Sequence, residues 1–368
     1  MSVLERNRYL LAQPFSKNVE TYVCPISKSK NEVSDGLKIA GGWRFFNELR
    51  VIQKKENVFS ESIMTPLKLI EEAKNESKEA LQEAENVIDS ITNKRLSFSN
   101  LNMSQPHVMG IINSTPDSFY KKSRSTNSSF AIKKSNQMIS DGASIIDIGG
   151  ESSRPGAKKI SIEEEMQRVI PSIIDFKKNN LVTQISLDTR NLTTMKLGLE
   201  SGVDIINDIS GFADHNKIKF VSKFNLPVIV MHMQNEPNNM QIEPKYSFAP
   251  IDIYKILSKR VNLLIQMGVN KSNIVVDPGI GFGKNIYHNL EILRNVSLFH
   301  SLGVPILIGL SRKTFIHEVV VKGYKYEGIT KRLISPTKRL SGSLAFAMHA
   351  YKNGIHFSYV QHGQTVDS

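Results

Sequence analysis

Eight short apolar runs, separated by segments with a helical pattern, constrain this chain more than any other feature. They are VMGIIN (Val108–Asn113), IIDIGG (Ile145–Gly150), QISLDT (Gln184–Thr189), IINDIS (Ile205–Ser210), PVIVMHM (Pro227–Met233), IVVDPG (Ile274–Gly279), PILIGLS (Pro305–Ser311) and FSYV (Phe357–Val360). Near-continuous apolar strands suit a parallel sheet covered on both faces. Eight of them, interleaved with helices, predict an α/β fold of the (β/α)8, or TIM barrel, type. An open doubly wound sheet is the alternative, but it usually has fewer strands and a glycine-rich first turn, which VMGIINSTPD is not. The chain has 368 residues, room for a barrel of about 250 residues plus an extra module.

The texture changes near residue 105, so the barrel is assigned to residues 105–368 and a small α+β extension to residues 1–104. In the extension, Leu37–Ile52 reads as two short strands flanking the Gly41-Gly42 turn. Thr65–Thr92 reads as one amphipathic helix opening on Pro66, and the polar stretch Asn93–Ser104 as a linker. No position before residue 105 carries recognisable chemistry, so a chain starting near Leu101 is expected to keep its binding function.

Composition narrows the classes. Hydrophobic residues make up 40%, enough for a core, and no run reaches the ~18 apolar residues of a membrane span. Met1 to Gln13 carry charges and no continuous apolar stretch, so no secretory signal is expected. The single cysteine, Cys24, cannot form an internal disulfide, which favours a cytoplasmic setting. A net charge of +12 raises nucleic-acid binding, but the basic residues are scattered and form no known nucleic-acid motif. A basic surface around a site for anionic small molecules is the preferred reading.

The strands end in polar residues. These ends are Asn113–Asp117, Gly150–Arg154, Asp188–Arg190, Asn207-Asp208, Met231–Met233, Asp277–Gly279 and Ser311–Lys313. One such aspartate could simply cap the next helix. So many on one face predict a polar pocket at the C-terminal mouth of an apolar barrel. Asp188, Asn207 and Asp277 offer acceptors, and Lys313 and Arg312 offer donors. That set suits a flat heterocycle with an amino-amide edge, because a carboxylate can accept two parallel N–H bonds. Arg312 could stack on the ring, while Met231 or Met233 and Phe282 could wall it. DPGIGFGK (277–284) resembles a phosphate loop but lacks its spacing.

The strings MGIINSTPDSF (109–119), DGASIIDIGGESSRPGA (141–157), SLDT (186–189), IINDISG (205–211), VIVMHMQ (228–234), DPGIGFGK (277–284), IGLSRK (308–313) and RLSGSLA (339–345) resemble the successive motifs of the dihydropteroate synthase family, in order, across residues 107–360. The resemblance implies a transferase of folate biosynthesis that joins 4-aminobenzoate to a hydroxymethyl-dihydropterin diphosphate and releases diphosphate. It implies a pterin held by Asp188, Asn207, Asp277 and Lys313, with Arg312, Met233 and Phe282 around the ring. Asp188, Lys313 and Arg154 are assigned to catalysis. The loops carrying Thr115 and Phe119, and Ser153, Arg154 and Pro155, would cover the aminobenzoate. Asn113 matches an asparagine linked to Mg2+, an ion that keeps several waters and needs few protein ligands. Small-molecule substrates are the expected partners, and neither nucleic acid nor membrane; a homodimer is an expectation that the sequence does not decide.

Two departures stand out. The family's SDGG continuation is replaced by Tyr120-Lys121-Lys122-Ser123, and its terminal Arg-x-His pair by Tyr359 and Gln361, unless a one-residue slip brings in His362. Both concern the diphosphate. They keep open a pterin-binding paralogue with weak or different activity, and behind it a pterin-dependent methyltransferase of the same superfamily. Compensation by Lys121 and Lys122 is a further expectation.

Overall fold

The computed structural model describes residues 10–26, 29, 31–32, 34–56, 58–114, 124–152, 159–180, 183–324 and 335–360. The extension comprises β1 (Glu20–Ile26), β2 (Leu37–Lys38), β3 (Phe45–Phe46), β4 (Glu48–Lys55), β5 (Val58–Met64), α1 (Pro66–Glu76) and α2 (Lys78–Thr92). β1, β4 and β5 form an antiparallel sheet, and β2 pairs with β3. The hairpin around Gly41-Gly42 is therefore present, while β1 and β5 lacked a sequence signal. The expected single helix is two. Ser77 has extended backbone and ends α1, and its hydroxyl accepts from the Ala80 N–H to cap α2.

The barrel strands are β6 (His107–Asn113), β7 (Ala143–Gly149), β8 (Gln184–Asp188), β9 (Ile205–Asp208), β10 (Val228–Met231), β11 (Ile274–Asp277), β12 (Leu307–Gly309) and β13 (Phe357–Val360). Between them lie α3 (Arg124–Ser140), α4 (Ile162–Lys178), α5 (Leu192–Glu200), α6 (His215–Lys223), α7 (Ala249–Gln266), α8 (Ile286–Arg294), and, before β13, α9 (Thr314–Tyr324) and α10 (Leu340–Lys352). All eight expected runs contain a strand. They pair in parallel in the order β11-β10-β9-β8-β7-β6-β13-β12, and a parallel bridge between Val276 and Ile306 closes the ring. Among the described residues, no helix is long and apolar enough to cross a membrane.

Inside the ring, Met109, Ile145, Ile205, Ile229, Val275, Leu307 and Phe357 make an apolar layer, one from nearly every strand. Phe98 and Met103 join it from below, 0% and 1% exposed. The expected polar linker is thus the barrel's bottom plug. Phe98 and Leu101 exchange backbone bonds across Ser99 and Asn100, both left-handed, a two-residue turn of the tight hairpin kind. Phe98 meets Phe357 edge-on at 5.7 Å.

The rest of the extension packs on the barrel's flank. Tyr22, Ile52 and Phe59 share an apolar cluster with Phe248, Ile251 and Leu298. Ser297 Oγ donates to the Pro25 carbonyl (2.9 Å), Arg50 to Asn295 Oδ1 (3.0 Å), and buried Arg95 to the His300 carbonyl (3.0 Å). Trp43 stacks on Tyr351 at 5.8 Å. A chain starting near Leu101 would lose Phe98 and uncover these faces, so the extension contributes to barrel stability even without chemistry of its own.

Candidate functional site

Strand alternation decides which side chains face the lumen. Two residues beyond the apolar layer, towards the C-terminal end, the same strand faces carry Asp147, Asn207, Met231, Asp277, Gly309 and Tyr359, beside Asp188 at the end of β8. The lumen changes from hydrocarbon to carboxylate within one layer. Asp147 is 2% exposed, Asn207 3% and Asp277 4%. Gly149 stands against Asp188, where an added Cβ would lie 3.4 Å from its Oδ2.

Burial without strong cationic partners shifts these groups. Asp277 is pushed up to about 6 by burial, opposed by the Gly279 N–H and by Lys313 and Lys284. Burial likewise raises Asp147 to about 6, opposed by Ser186 on the neighbouring strand and by bonds from Tyr359 and Asn207. Asp188 is driven well above the carboxylate range by burial and then by the Asp147 charge beside it. Burial lowers Lys313 to about 8, opposed by Asp277. A pocket of protonatable carboxylates beside a partly neutralised lysine is poised to take N–H donors and a carbonyl oxygen from a ligand.

The loop after β11 shapes one wall. Asp277 Oδ1 accepts from the Gly279 N–H at 2.7 Å, so the capping role and a ligand role coexist, with Oδ2 outside that bond. Gly279 has φ +68°, and a Cβ there would lie 2.0 Å from the His232 carbonyl, so only glycine fits. Lys284 turns inward, donating to the Phe282 carbonyl (2.8 Å) and to His232 Nδ1 (3.0 Å). It braces the loop. Lys313 instead lies over the Phe282 ring, its Nζ 4.1 Å from the centroid.

The turn after β12 is equally specified. Arg312 has φ +55°. Its N–H donates to Ser343 Oγ (2.8 Å), and its carbonyl accepts from Arg339 Nη1 (3.0 Å). The RLSGSLA stretch thus supplies the brace for SRK. The Arg312 Nε is buried and has no hydrogen-bond partner among the described residues. At the rim, Arg190 makes a bidentate pair with Glu151 (3.0 and 3.1 Å) and reaches Glu236 at 3.4 Å, joining the loops after β7, β8 and β10.

The expected residues Asp188, Asn207, Asp277 and Lys313 therefore gather around one mouth, with Phe282 beside Lys313. Asn113 ends β6 opposite Gly149. Met231 occupies the lumen face, while Met233 lines the neighbouring groove with His232, Gln234 and Tyr246. Thr115, Phe119, Lys121, Lys122, Ser153, Arg154, Pro155, Gln361 and His362 lie outside the described residues. Sequence reasoning missed Asp147, although its separation of two from Ile145 signals the lumen face. It also treated Tyr359 only as a lost arginine. The Tyr359 hydroxyl donates to Asp147 Oδ2 at 2.8 Å and meets the Asn207 amide.

The model of the pterin binding enzyme family matches residues 109–361. Dihydropteroate synthase of Escherichia coli K12 is 39% identical over 258 residues, covering 70% of this chain and 87% of the relative. That of Haemophilus influenzae is 37% identical over 254 residues, 69% and 88% of the two chains. Among solved structures, Yersinia pestis dihydropteroate synthase with a sulfonamide drug superposes with a TM-score of 0.65 at 34% identity, covering 73% of this chain and 94% of that one. The Xanthomonas albilineans dihydropteroate synthase with 4-aminobenzoic acid gives 0.64 at 32%, covering 72% and 92%. With the motifs in order, the barrel closed and the polar layer at its mouth, the chain belongs to the dihydropteroate synthase family.

Proposed function

We infer that this chain is a transferase of folate biosynthesis that condenses 6-hydroxymethyl-7,8-dihydropterin diphosphate with 4-aminobenzoate to give 7,8-dihydropteroate and diphosphate. The observation that carries the reading is the set Asp188, Asn207 and Asp277 facing one lumen, Asn207 and Asp277 buried and Asp188 half-buried, with Lys313 at its edge. Asp277 and Asp188 would accept the amino and ring N–H groups of the pterin, and Lys313 would donate to its carbonyl. The methylene C–O bond breaks, diphosphate leaves with the electron pair, and the aniline nitrogen forms the new C–N bond and gives up a proton. Positioning serves this step more than a strong base does.

Magnesium, a cytoplasmic location and a homodimer belong to the same proposal. The donor set suits a hard ion carried mostly by substrate: Asn113 is a single amide at a strand end, and the described residues form no cluster of three or more His, Cys, Asp or Glu that could hold a metal. Asn113 would hold the ion, which would neutralise charge on the departing diphosphate. Leu340, Leu344 and Met348 form an exposed apolar stripe along α10, a surface suited to a second copy. A second reading, a pterin-binding paralogue of weak activity, is favoured by Tyr359, which stands where the family's arginine would grip diphosphate. The discriminating assay supplies the full chain with both substrates and magnesium and follows diphosphate and dihydropteroate. Stoichiometric turnover supports the synthase; tight pterin binding without turnover favours the paralogue.

A further inference from the structure

Tyr359 is not merely an absent arginine. Its ring packs against the apolar layer inside the barrel and passes Gly309, where an added Cβ would lie 3.5 Å from Tyr359 Cδ2. From β13 it crosses the lumen to strands two and four of the barrel. There it closes a triangle: the hydroxyl donates to Asp147 Oδ2 at 2.8 Å, the Asn207 Nδ2 donates to the same Oδ2 at 3.2 Å, and Nδ2 also donates to the Tyr359 oxygen.

Proton counting gives this triangle one orientation. The phenol has one proton, and Asp147 receives it. Its oxygen can then only accept from Asn207, and an ionised Asp147 can also only accept. Turning the Asn207 amide over would set its Oδ1 against two oxygens with no proton to share. The two acceptors lie on the same side of Nδ2, so one N–H of Asn207 serves them both, and no described residue donates to its Oδ1. Asn207 itself is buried.

We propose that Tyr359 and Asp147 are positioning residues that hold Asn207 with its Nδ2 turned to them, so that Asn207 presents Oδ1 to the pterin as an acceptor. The proposal deepens the pterin reading and rests on it for the identity of the ligand. It gives the departure at Tyr359 a role: the position has exchanged a cation for a neutral donor that orders the pterin-reading amide.

The test starts without ligand. In full-length protein labelled with 15N-asparagine, the Asn207 side-chain amide protons are identified by their loss in Asn207→Asp. The one that faces Tyr359 and Asp147 is expected to be protected from solvent exchange. In Tyr359→Phe, that proton should exchange about fivefold to tenfold faster, the equivalent of losing one hydrogen bond of ordinary strength. Loosened packing alone would lower the melting temperature and leave that proton protected, and that result overturns the proposal. The second readout is titration with 6-hydroxymethyl-7,8-dihydropterin. Tyr359→Phe should weaken binding about fivefold, and adding Asp147→Asn should cost no more than the weaker single variant, because both act through one amide. Additive losses count against it. If the wild type binds no pterin, the functional reading fails, while the exchange measurement still decides the orientation of Asn207.

Discussion

The two ends of the barrel are built from the same eight strands and follow opposite rules. At the bottom, Phe98, Met103 and Phe357 complete a dry layer, and His107 beside it bonds the Asn102 carbonyl at 2.8 Å and Ser144 at 3.1 Å. At the top, three carboxylates are held above their ordinary range. Arg312 sits in a left-handed backbone conformation at the same end. The bottom is arranged for stability, and the top sacrifices stability for a site that a ligand must complete.

The largest effect should come from breaking the bottom. Phe98→Ala removes the plug's main side chain and should destabilise the protein by about 3–5 kcal/mol. Denaturant unfolding measures this, and a loss below about 1 kcal/mol would show that the plug is not part of the core. Deleting residues 1–104 should be more severe and leave no cooperatively folded barrel, as read by circular dichroism and size exclusion.

The opposite sign is expected at the top. Asp277→Asn keeps an oxygen for the Gly279 N–H and removes a buried charge, so the ligand-free protein should become more stable by about 1–3 kcal/mol at pH 7.5. The sign follows from linkage. Asp277 and Asp147 have folded values near 6 against 3.8 unfolded, so their contribution is fully present below about pH 4 and lost as pH rises through 6. Stability should therefore fall with rising pH across that window, and less steeply in Asp277→Asn. A steeper slope in the variant would mean that the carboxylate is stabilised by partners after all. The smallest effect belongs to the rim: Arg190→Lys loses the two-pronged contact with Glu151 and should cost under about 1 kcal/mol, with pterin affinity unchanged.

The same contrast explains what was legible in the sequence. Barrel strands are read from local apolar runs, and the eight were found because most of them are buried on both faces, β13 with its exposed Val360 being the exception. Asp188, Asn207, Asp277 and Lys313 were legible as polar ends of those runs. Asp147 was hidden inside a run, where only its phase relative to Ile145 identifies it. The plug was hidden for the converse reason: Phe98 and Met103 sit among Ser, Asn and Leu with no periodicity, and their burial is created by strands far along the chain. Ser77 splits one amphipathic pattern into two helices through a cap that apolar spacing does not register. Tyr359 was visible, but its role depends on Asp147 and Asn207, which lie 212 and 152 residues away.

The central claim is that the carboxylate layer at the mouth reads a pterin. Calorimetric titration of the wild type and Asp277→Asn with 6-hydroxymethyl-7,8-dihydropterin diphosphate, in the presence of magnesium, tests it most directly. The account predicts one site per chain in the wild type and an affinity at least about tenfold lower in the variant, whose amide cannot accept both N–H bonds and leaves a buried donor unpaired. Equal affinity in the two proteins, or no saturable binding to the wild type, would contradict it.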